Sequence, residues 1–195
     1  MAGEAPITPL LPPTPVLETP RLVLRPIRAE DAQAIQRRFP QWEVVRFLTD
    51  KIPWPYPPDG AAINMVETLG QMERREQCHW AITLNSGDDE LIGRIDLWAD
   101  DGVSREQRGF WLDPEFWGRG LMTEAADRVT EFAFLEIGWP HLWLCNAEAN
   151  IASHRVKERQ GARLIDRTPS RYVSGEGVRV TWLLTREDWL ARRGG

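Results

Sequence analysis

The chain has 195 residues, of which 42% are hydrophobic and 27% are charged, as expected for one globular domain and too short for two large ones. The net charge of −5 argues against a general nucleic-acid-binding surface, and no apolar run is long enough to span a membrane. Because the N-terminus lacks the pattern of a signal peptide and the two cysteines, Cys78 and Cys145, lack metal-ligand spacing, we expect a cytoplasmic protein without a metal site.

The first half of the chain alternates proline-rich segments with regular structure. Residues 1–16 hold five prolines and no periodic pattern, which predicts an extended or mobile tail before a domain at 17–195. Alternation predicts a strand at 21–25, and helical periodicity predicts helices at 30–39 and 59–76. The prolines at 53–58, between those helices, exclude a helix or a central strand there. Further strands are predicted at 78–84, 91–98 and 106–112, separated by turn-forming residues.

One stretch carries most of the functional information: Gly109-Phe-Trp-Leu-Asp-Pro-Glu-Phe-Trp-Gly-Arg-Gly-Leu-Met-Thr-Glu-Ala125. Its apolar strand ends at Asp113-Pro114, glycines follow at 118 and 120, and an amphipathic helix is predicted from about 121 to 137. A strand that enters a helix through glycines leaves backbone N–H groups unpaired at the helix N-terminus, where the dipole favours an anion. The pattern therefore predicts a phosphate site. The alternative is an ordinary turn that binds nothing.

The remaining third of the chain completes a mixed pattern. A short buried strand is predicted at 142–145, a helix at 150–160, and two final strands at 162–168 and 177–185. Strands dominate on both sides of the central strand–helix–strand unit. We therefore predict a mixed α+β fold around one sheet.

Three segments together resemble the GNAT superfamily of N-acyltransferases, and most of all its Rim-type branch, whose founding members acetylate ribosomal-protein N-termini. The glycine-containing stretch is similar to the acyl-CoA-binding motif of that superfamily. Leu17-Glu-Thr-Pro-Arg-Leu-Val-Leu-Arg-Pro-Ile-Arg28 with Glu30-Asp31-Ala32 resembles the first strand and helix of the branch. Asn150-Ile-Ala-Ser-His-Arg-Val-Lys-Glu-Arg-Gln-Gly161 resembles its Asn-x-x-Ser helix. The resemblance spans roughly residues 17 to 189.

The resemblance implies a fold and a bound cofactor. It implies a twisted, mostly antiparallel sheet of about seven strands and about four flanking helices. The fourth and fifth strands, 106–112 and 142–145, would run parallel and splay apart, and acetyl-CoA would wedge between them. Its pantetheine amides would pair with the backbone of Phe110, Trp111 and Leu112, and Asn150 would contact CoA. Its pyrophosphate would take N–H groups from the loop and helix start: Trp117, Gly118, Arg119, Gly120, Leu121, Met122 and Thr123.

Two side chains are expected to supply the acid that protonates the leaving thiolate. Ser153 would lie near the CoA sulfur, and Tyr172, expected in the loop before the last strand, is its rival. Each could also be structural: Ser153 as a first-turn helix residue and Tyr172 as a loop residue. Asn150 is equally well explained as the N-cap of its helix. The same resemblance places the amine acceptor near the loop between the first two helices, where Trp54 and Tyr56 are expected to bind it.

The general base is not determined by the sequence. A primary amine must lose a proton before it attacks a thioester. The superfamily often has Glu where this chain has Gln107, and neighbouring Glu106 should point to the opposite sheet face. Two further departures are Glu115 for Arg or Gln and Ala162 for Phe. The possible bases are Asp96, Glu106, His79 and Glu148, or a water chain to a distant carboxylate.

The sequence thus predicts an acetyl-CoA-dependent N-acetyltransferase in which the amine of a protein N-terminus or of a small molecule attacks the thioester directly. A backbone N–H near Trp111 or Leu112 would stabilise the oxyanion. Three alternatives stay open: a catalytically silent acyl-CoA-binding module, a transferase that uses a longer acyl-CoA, and a nucleotide-binding module. Neither a nucleic acid nor a membrane is an expected partner, and a homodimer is left open.

Overall fold

The computed structural model describes residues 10–193, which form one mixed α+β unit. Its helices in chain order are α1 (Asp31–Arg38), α2 (Trp42–Val45), α3 (Gly60–Glu73), α4 (Leu121–Glu131), α5 (Ile151–Gln160) and α6 (Arg186–Arg193). Its strands are β1 (Leu17–Glu18), β2 (Leu22–Pro26), β3 (Gln77–Leu84), β4 (Gly93–Trp98), β5 (Arg108–Leu112), β6 (His141–Ala147), β7 (Arg163–Tyr172) and β8 (Gly175–Thr185). The predicted fold class is confirmed.

The strands form two antiparallel sheets, where the sequence predicted one sheet of about seven strands. Strands β1 to β5 follow each other in a five-stranded sheet, and a second sheet has the order β6-β8-β7. The facing edges, β5 and β6, share one backbone hydrogen bond, from Gln107 N–H to the Trp143 carbonyl at 2.9 Å, and no ladder. Both edges consequently keep backbone groups that no strand pairs.

Strand β4 separates two cores because its side chains alternate between the two faces of the sheet. Ile95 and Leu97 face the core that contains α4, while Arg94 and Asp96 alternate with them. On the second face α1 and α3 enclose a smaller core around Ile35, and Trp111 packs against it.

The predicted helix at 121–137 changes its hydrogen-bond pattern near its end. The α-helical part ends at Glu131, and a single π-helical turn continues over Phe132–Glu136. Gly138 follows at a φ of +86°, a conformation that favours glycine, and so ends the helix.

Three local features differ from the sequence-based expectation. The helices α2 and α6 were not predicted, and Tyr172 is the last residue of β7, not a loop residue. Helix α6 begins where the Thr185 hydroxyl accepts the Asp188 N–H at 3.0 Å, and its Trp189 is buried. This Thr-x-x-Asp pattern is a capping signal that the sequence contained.

The described part of the predicted tail packs on the domain. Leu11 is buried, and the Trp80 indole donates to the Pro15 carbonyl at 2.7 Å. Residues 10–16 have no regular secondary structure. The rest of the predicted tail, residues 1–9, lies outside the described residues.

Candidate active site

The loop between β5 and α4 has the geometry of an anion cradle. A 3₁₀ turn at Pro114–Phe116 is capped by the Asp113 carboxylate, which accepts the Glu115 N–H. Gly118 and Gly120 then adopt φ angles of +75° and +76°, and Gly120 is the N-cap of α4. A residue with a Cβ is strained in this left-handed region, so the backbone path depends on glycine at both positions.

The backbone N–H groups from Gly118 to Thr123 have no hydrogen-bond acceptor within residues 10–193; the first helical bond of α4 is donated by Glu124. The predicted phosphate set also included Trp117, and here the structure differs. The Trp117 N–H donates to the Pro114 carbonyl at 3.0 Å, and its indole donates to the Leu112 carbonyl at 2.7 Å. Both donors of Trp117 are thus used, the N–H within the loop and the indole on the end of β5.

Two arginines flank this loop. Arg119 donates to the Glu115 carbonyl at 3.1 Å and stacks over Phe116, so its guanidinium is held on the loop. Arg21, which no sequence motif singled out, donates to the Arg119 carbonyl at 2.8 Å. One of its nitrogens lies 3.6 Å from where a Cβ on Gly120 would be. Its place beside a motif 98 residues away in sequence could only be seen in the fold.

The adjoining edges of β5 and β6 are held together by Gln107. This side chain is buried, and its Oε1 accepts the Trp143 N–H at 2.9 Å while the Gln107 backbone N–H donates to the Trp143 carbonyl. An amide side chain can do this without carrying charge. At position 107 the chain therefore has a side chain that hydrogen-bonds the two sheets together, and not a general base.

The start of α5 brings together the predicted Asn150 and Ser153. Asn150 Oδ1 accepts the Ser153 N–H at 3.1 Å, so Asn150 is the N-cap of α5. The Ser153 side chain is buried, and its Oγ accepts a hydrogen bond from Lys157 Nζ at 2.8 Å. The ammonium also lies 5.3 Å from the centre of the Phe110 ring on β5.

Tyr172 is engaged elsewhere. Its hydroxyl donates to the Val178 carbonyl at 3.2 Å, and burial raises its pKa above the ordinary value for tyrosine. Thr49 forms an isolated bridge with Tyr172, which holds the end of β7 against the segment after α2. No hydrogen bond joins Tyr172 to Ser153 within the described residues.

The aromatic residues expected at the acceptor loop connect to β5. Tyr56 packs edge-to-face on Phe39 with ring centres 5.3 Å apart, and Phe39 packs likewise on Trp111 at 5.2 Å. Trp54 is 42% exposed and pairs with Trp42 instead. The structure thus links Tyr56 to the strand of the predicted cofactor site, and leaves Trp54 at the surface.

The possible bases differ in their surroundings. Asp96 accepts bonds from His79 and Arg94, both at 2.7 Å; although burial opposes it, these groups hold its pKa below the ordinary value. His79 is itself buried, and Glu148 is paired with Arg167 at 2.8 Å. Burial raises the pKa of Glu106, against the attraction of Arg179.

Comparison with known proteins decides the family. The family model for the GNAT acetyltransferase domain matches residues 21–163, which include the loop, β5, β6 and α5. The chain belongs to the GNAT acetyltransferase family. It is 29% identical over 153 residues to the uncharacterized N-acetyltransferase YoaA of Bacillus subtilis (strain 168), an alignment that covers 75% of this chain and 82% of YoaA.

Solved GNAT structures share the fold. RimL, a ribosomal L7/L12 alpha-N-protein acetyltransferase in complex with coenzyme A, has a TM-score of 0.74 at 14% identity, covering 87% of this chain and 97% of that chain. The ribosomal-protein-S5-alanine acetyltransferase from Vibrio fischeri has a TM-score of 0.73 at 14% identity, covering 89% and 98%. At this level of identity the two structures show a shared fold.

Neither a membrane-spanning helix nor a metal cluster is found in the described part of the GNAT chain. None of the helices within residues 10–193 is both long and apolar enough to cross a bilayer. Over the same range, no three His, Cys, Asp or Glu side chains are grouped as they would be to hold a metal ion.

Proposed function

We propose that this GNAT acetyltransferase transfers the acetyl group of acetyl-CoA to a primary amine by direct attack within a ternary complex. The observation that carries the proposal is the row of unpaired backbone N–H groups from Gly118 to Thr123. It lies directly after an edge strand whose outer side is unpaired, and the Ser153 hydroxyl stands on the helix that packs on that strand.

In this proposal the backbone binds most of the cofactor. The N–H groups at the start of α4 would hold the pyrophosphate, because the helix dipole favours an anion there. On the free edge of β5, the backbone N–H and carbonyl of Phe110 would pair with the pantetheine amides; the Leu112 carbonyl already accepts the Trp117 indole N–H. The Leu112 N–H, on the free edge of β5, would stabilise the oxyanion that forms when the amine attacks the thioester, because the neighbouring Trp111 N–H faces Arg94 on β4.

The amine would approach over the aromatic residues Tyr56, Phe39 and Trp111, which reach from the acceptor loop to β5. RimL and the S5 enzyme are named for ribosomal-protein substrates, which supports a protein N-terminus as the acceptor. A small amine fits the same chemistry. A longer acyl-CoA stays an alternative, a homodimer stays open, and the cytoplasmic location stays a prediction.

We assign the acid to Ser153 and not to Tyr172. The Ser153 oxygen accepts a bond from Lys157, which leaves its O–H free to donate. The Tyr172 hydroxyl already donates to Val178. Asn150 is assigned to the cap of α5, where it fixes the position of Ser153.

The test is release of free CoA thiol from acetyl-CoA with a panel of small amines and of peptides with free N-termini. Turnover with at least one amine, and a loss in kcat for Ser153→Ala with unchanged CoA affinity, would support the proposal. Tight CoA binding without turnover on any amine would favour the silent module. Equal thermal protection by ATP or NAD and by CoA would favour the nucleotide-binding module.

A further inference from the structure

Lys157 is an unusual residue for its position. It is one of only two lysines in the sequence, and its side chain is 2% exposed. It follows Ser153 by one helical turn, so its Nζ reaches back to the Ser153 oxygen at 2.8 Å. Its other neighbour is the face of the Phe110 ring, on the strand assigned to the pantetheine arm.

No carboxylate pairs with Lys157 within residues 10–193. Arg108, on β5, is also 2% exposed, and its guanidinium donates to neutral oxygens on Ala126 and Gln160. Two buried cations without a paired anion destabilise a fold, and an apolar residue would pack there without this cost. Packing therefore does not explain why a lysine occupies this position.

We propose that Lys157 is the proton source for the leaving thiolate, and that it acts through Ser153. As the tetrahedral intermediate collapses, the C–S bond breaks and its electron pair stays on sulfur. The Ser153 O–H gives its proton to that sulfur while a Lys157 N–H gives its proton to the Ser153 oxygen. Serine ends as it began and lysine ends neutral. The proton that the attacking amine loses goes to solvent, and lysine regains a proton from solvent after the products leave.

Charged and polar groups on several elements affect the pKa of the Lys157 ammonium. Burial, and then the repulsion of Arg108, lower the pKa of Lys157 to about 7, while Cys145 on β6 and Glu106 before β5 oppose that shift. Arg179 on β8 faces the same region and lies 3.7 Å from the Glu106 carboxylate. An ammonium of this pKa can both give up and recover a proton near neutral pH.

The inference rests on the proposed function, because it concerns the acetyl-transfer step at Ser153. Two measurements test it without an acceptor. The ionisation of Lys157 can be followed by NMR of isotope-labelled lysine side chains, since Lys51→Met leaves Lys157 as the only lysine signal. The ionisation of the thiol of bound CoA can be followed by ultraviolet absorbance, in the wild type and in Lys157→Met.

We expect the Lys157 signal to titrate near neutral pH and to shift when CoA binds, and the thiol of bound CoA to have a lower pKa in the wild type than in Lys157→Met. An unmoved lysine signal, or an identical thiol pKa in the two proteins, would overturn the inference. These results need only bound CoA. A chain that binds CoA but acetylates no amine would therefore refute the proposed function and not the contact of Lys157 with the thiol.

Once an acceptor amine is known, steady-state kinetics can distinguish proton transfer by Lys157 from an effect of its positive charge alone. We expect Lys157→Met and Ser153→Ala to lower kcat by a similar factor, on the order of 10²-fold, and the double variant to be no slower than either. The KM for acetyl-CoA should change little. Lys157→Arg keeps the charge but cannot release a proton, so it should stay slow; full rescue by arginine would overturn the proposal.

Two controls complete the design. Lys51→Met makes the same chemical change at an exposed lysine, and the thiol of its bound CoA should have the same pKa as in the wild type. Mass spectrometry after incubation with acetyl-CoA should show no acetyl group on Ser153 or Lys157. An acetylated Ser153 that is then consumed by the amine would make serine a nucleophile and would overturn the proton-donor role.

Discussion

Replacing Gly120 by valine separates the phosphate-binding role of the loop from its role in folding. Gly120 is exposed and has a φ of +76°. A Cβ at this position would meet only Arg21, at 3.6 Å, and no backbone or core atom within 4 Å. The new side chain would therefore leave the core unchanged and would enter the space in front of the unpaired N–H groups.

The size of each effect follows from this geometry. The left-handed backbone costs an L-residue roughly 1–2 kcal/mol, so we expect a loss of that order in the free energy of unfolding. The protein should still fold, because the loss is smaller than the stability of a typical domain. For CoA we expect the Kd to rise at least tenfold, about 1.4 kcal/mol of binding free energy, because a branched side chain keeps the phosphates from the backbone.

Isothermal titration calorimetry with CoA and chemical denaturation measure the two effects. Gly138→Val is the matched control, because Gly138 is exposed, has a φ of +86° and has nothing within 4 Å of the place that a Cβ would take. It ends the π-helical turn, away from the loop. We expect a similar stability loss and an unchanged CoA affinity for this variant.

Two results would refute the reasoning. An unchanged Kd in Gly120→Val would show that the loop does not hold the phosphates. An equal loss of affinity in Gly138→Val would show that backbone strain, and not crowding of the site, weakens binding.

Three further predictions follow from the contacts. The pKa of Lys157 in the folded chain, about 7, lies below the ordinary lysine value of 10.5. Between these two pH values the unfolded chain binds more protons than the folded chain, so the free energy of unfolding should rise with pH across that range. Lys157→Met should lack this rise and be more stable by about 1–4 kcal/mol at about pH 6, as measured by urea unfolding. Tyr172→Phe should cost about 0.5–1.5 kcal/mol through the lost bond to Val178 and keep kcat within about threefold in the thiol-release assay; a larger loss would return the acid role to Tyr172. Phe39→Leu should raise the KM for the amine without changing the CoA affinity, since it removes the ring between Tyr56 and β5; an unchanged KM would place the acceptor elsewhere.

Local sequence signals predicted most of the elements. The glycines of the loop, the Asn150 cap and the periodicity of α4 act over a few residues, so their consequences can be read from neighbouring positions. Helix α6 was missed although its Thr185 capping signal is just as local. The prediction included these residues in the domain but assigned no helix after the strand at 177–185.

The candidate site was predicted where it consists of backbone and missed where it consists of distant side chains. The motif predicted unpaired N–H groups at the start of α4, and the structure has them from residue 118 to residue 123. The motif could not show that the Trp117 N–H donates to the Pro114 carbonyl. Arg21 comes to the loop from the start of the chain, and no spacing in the sequence indicates that contact.

The sequence by itself determined most of the secondary structure, the family and the strand–glycine–helix motif, because each depends on short-range geometry and on hydrophobic periodicity. Only the tertiary structure decided that the strands divide into two sheets, because this depends on how far the edges of β5 and β6 stay apart. It also decided the surroundings of Lys157. In the sequence this is one cation on a helix, and its burial against Phe110 and Arg108 arises only when α5 packs on β5.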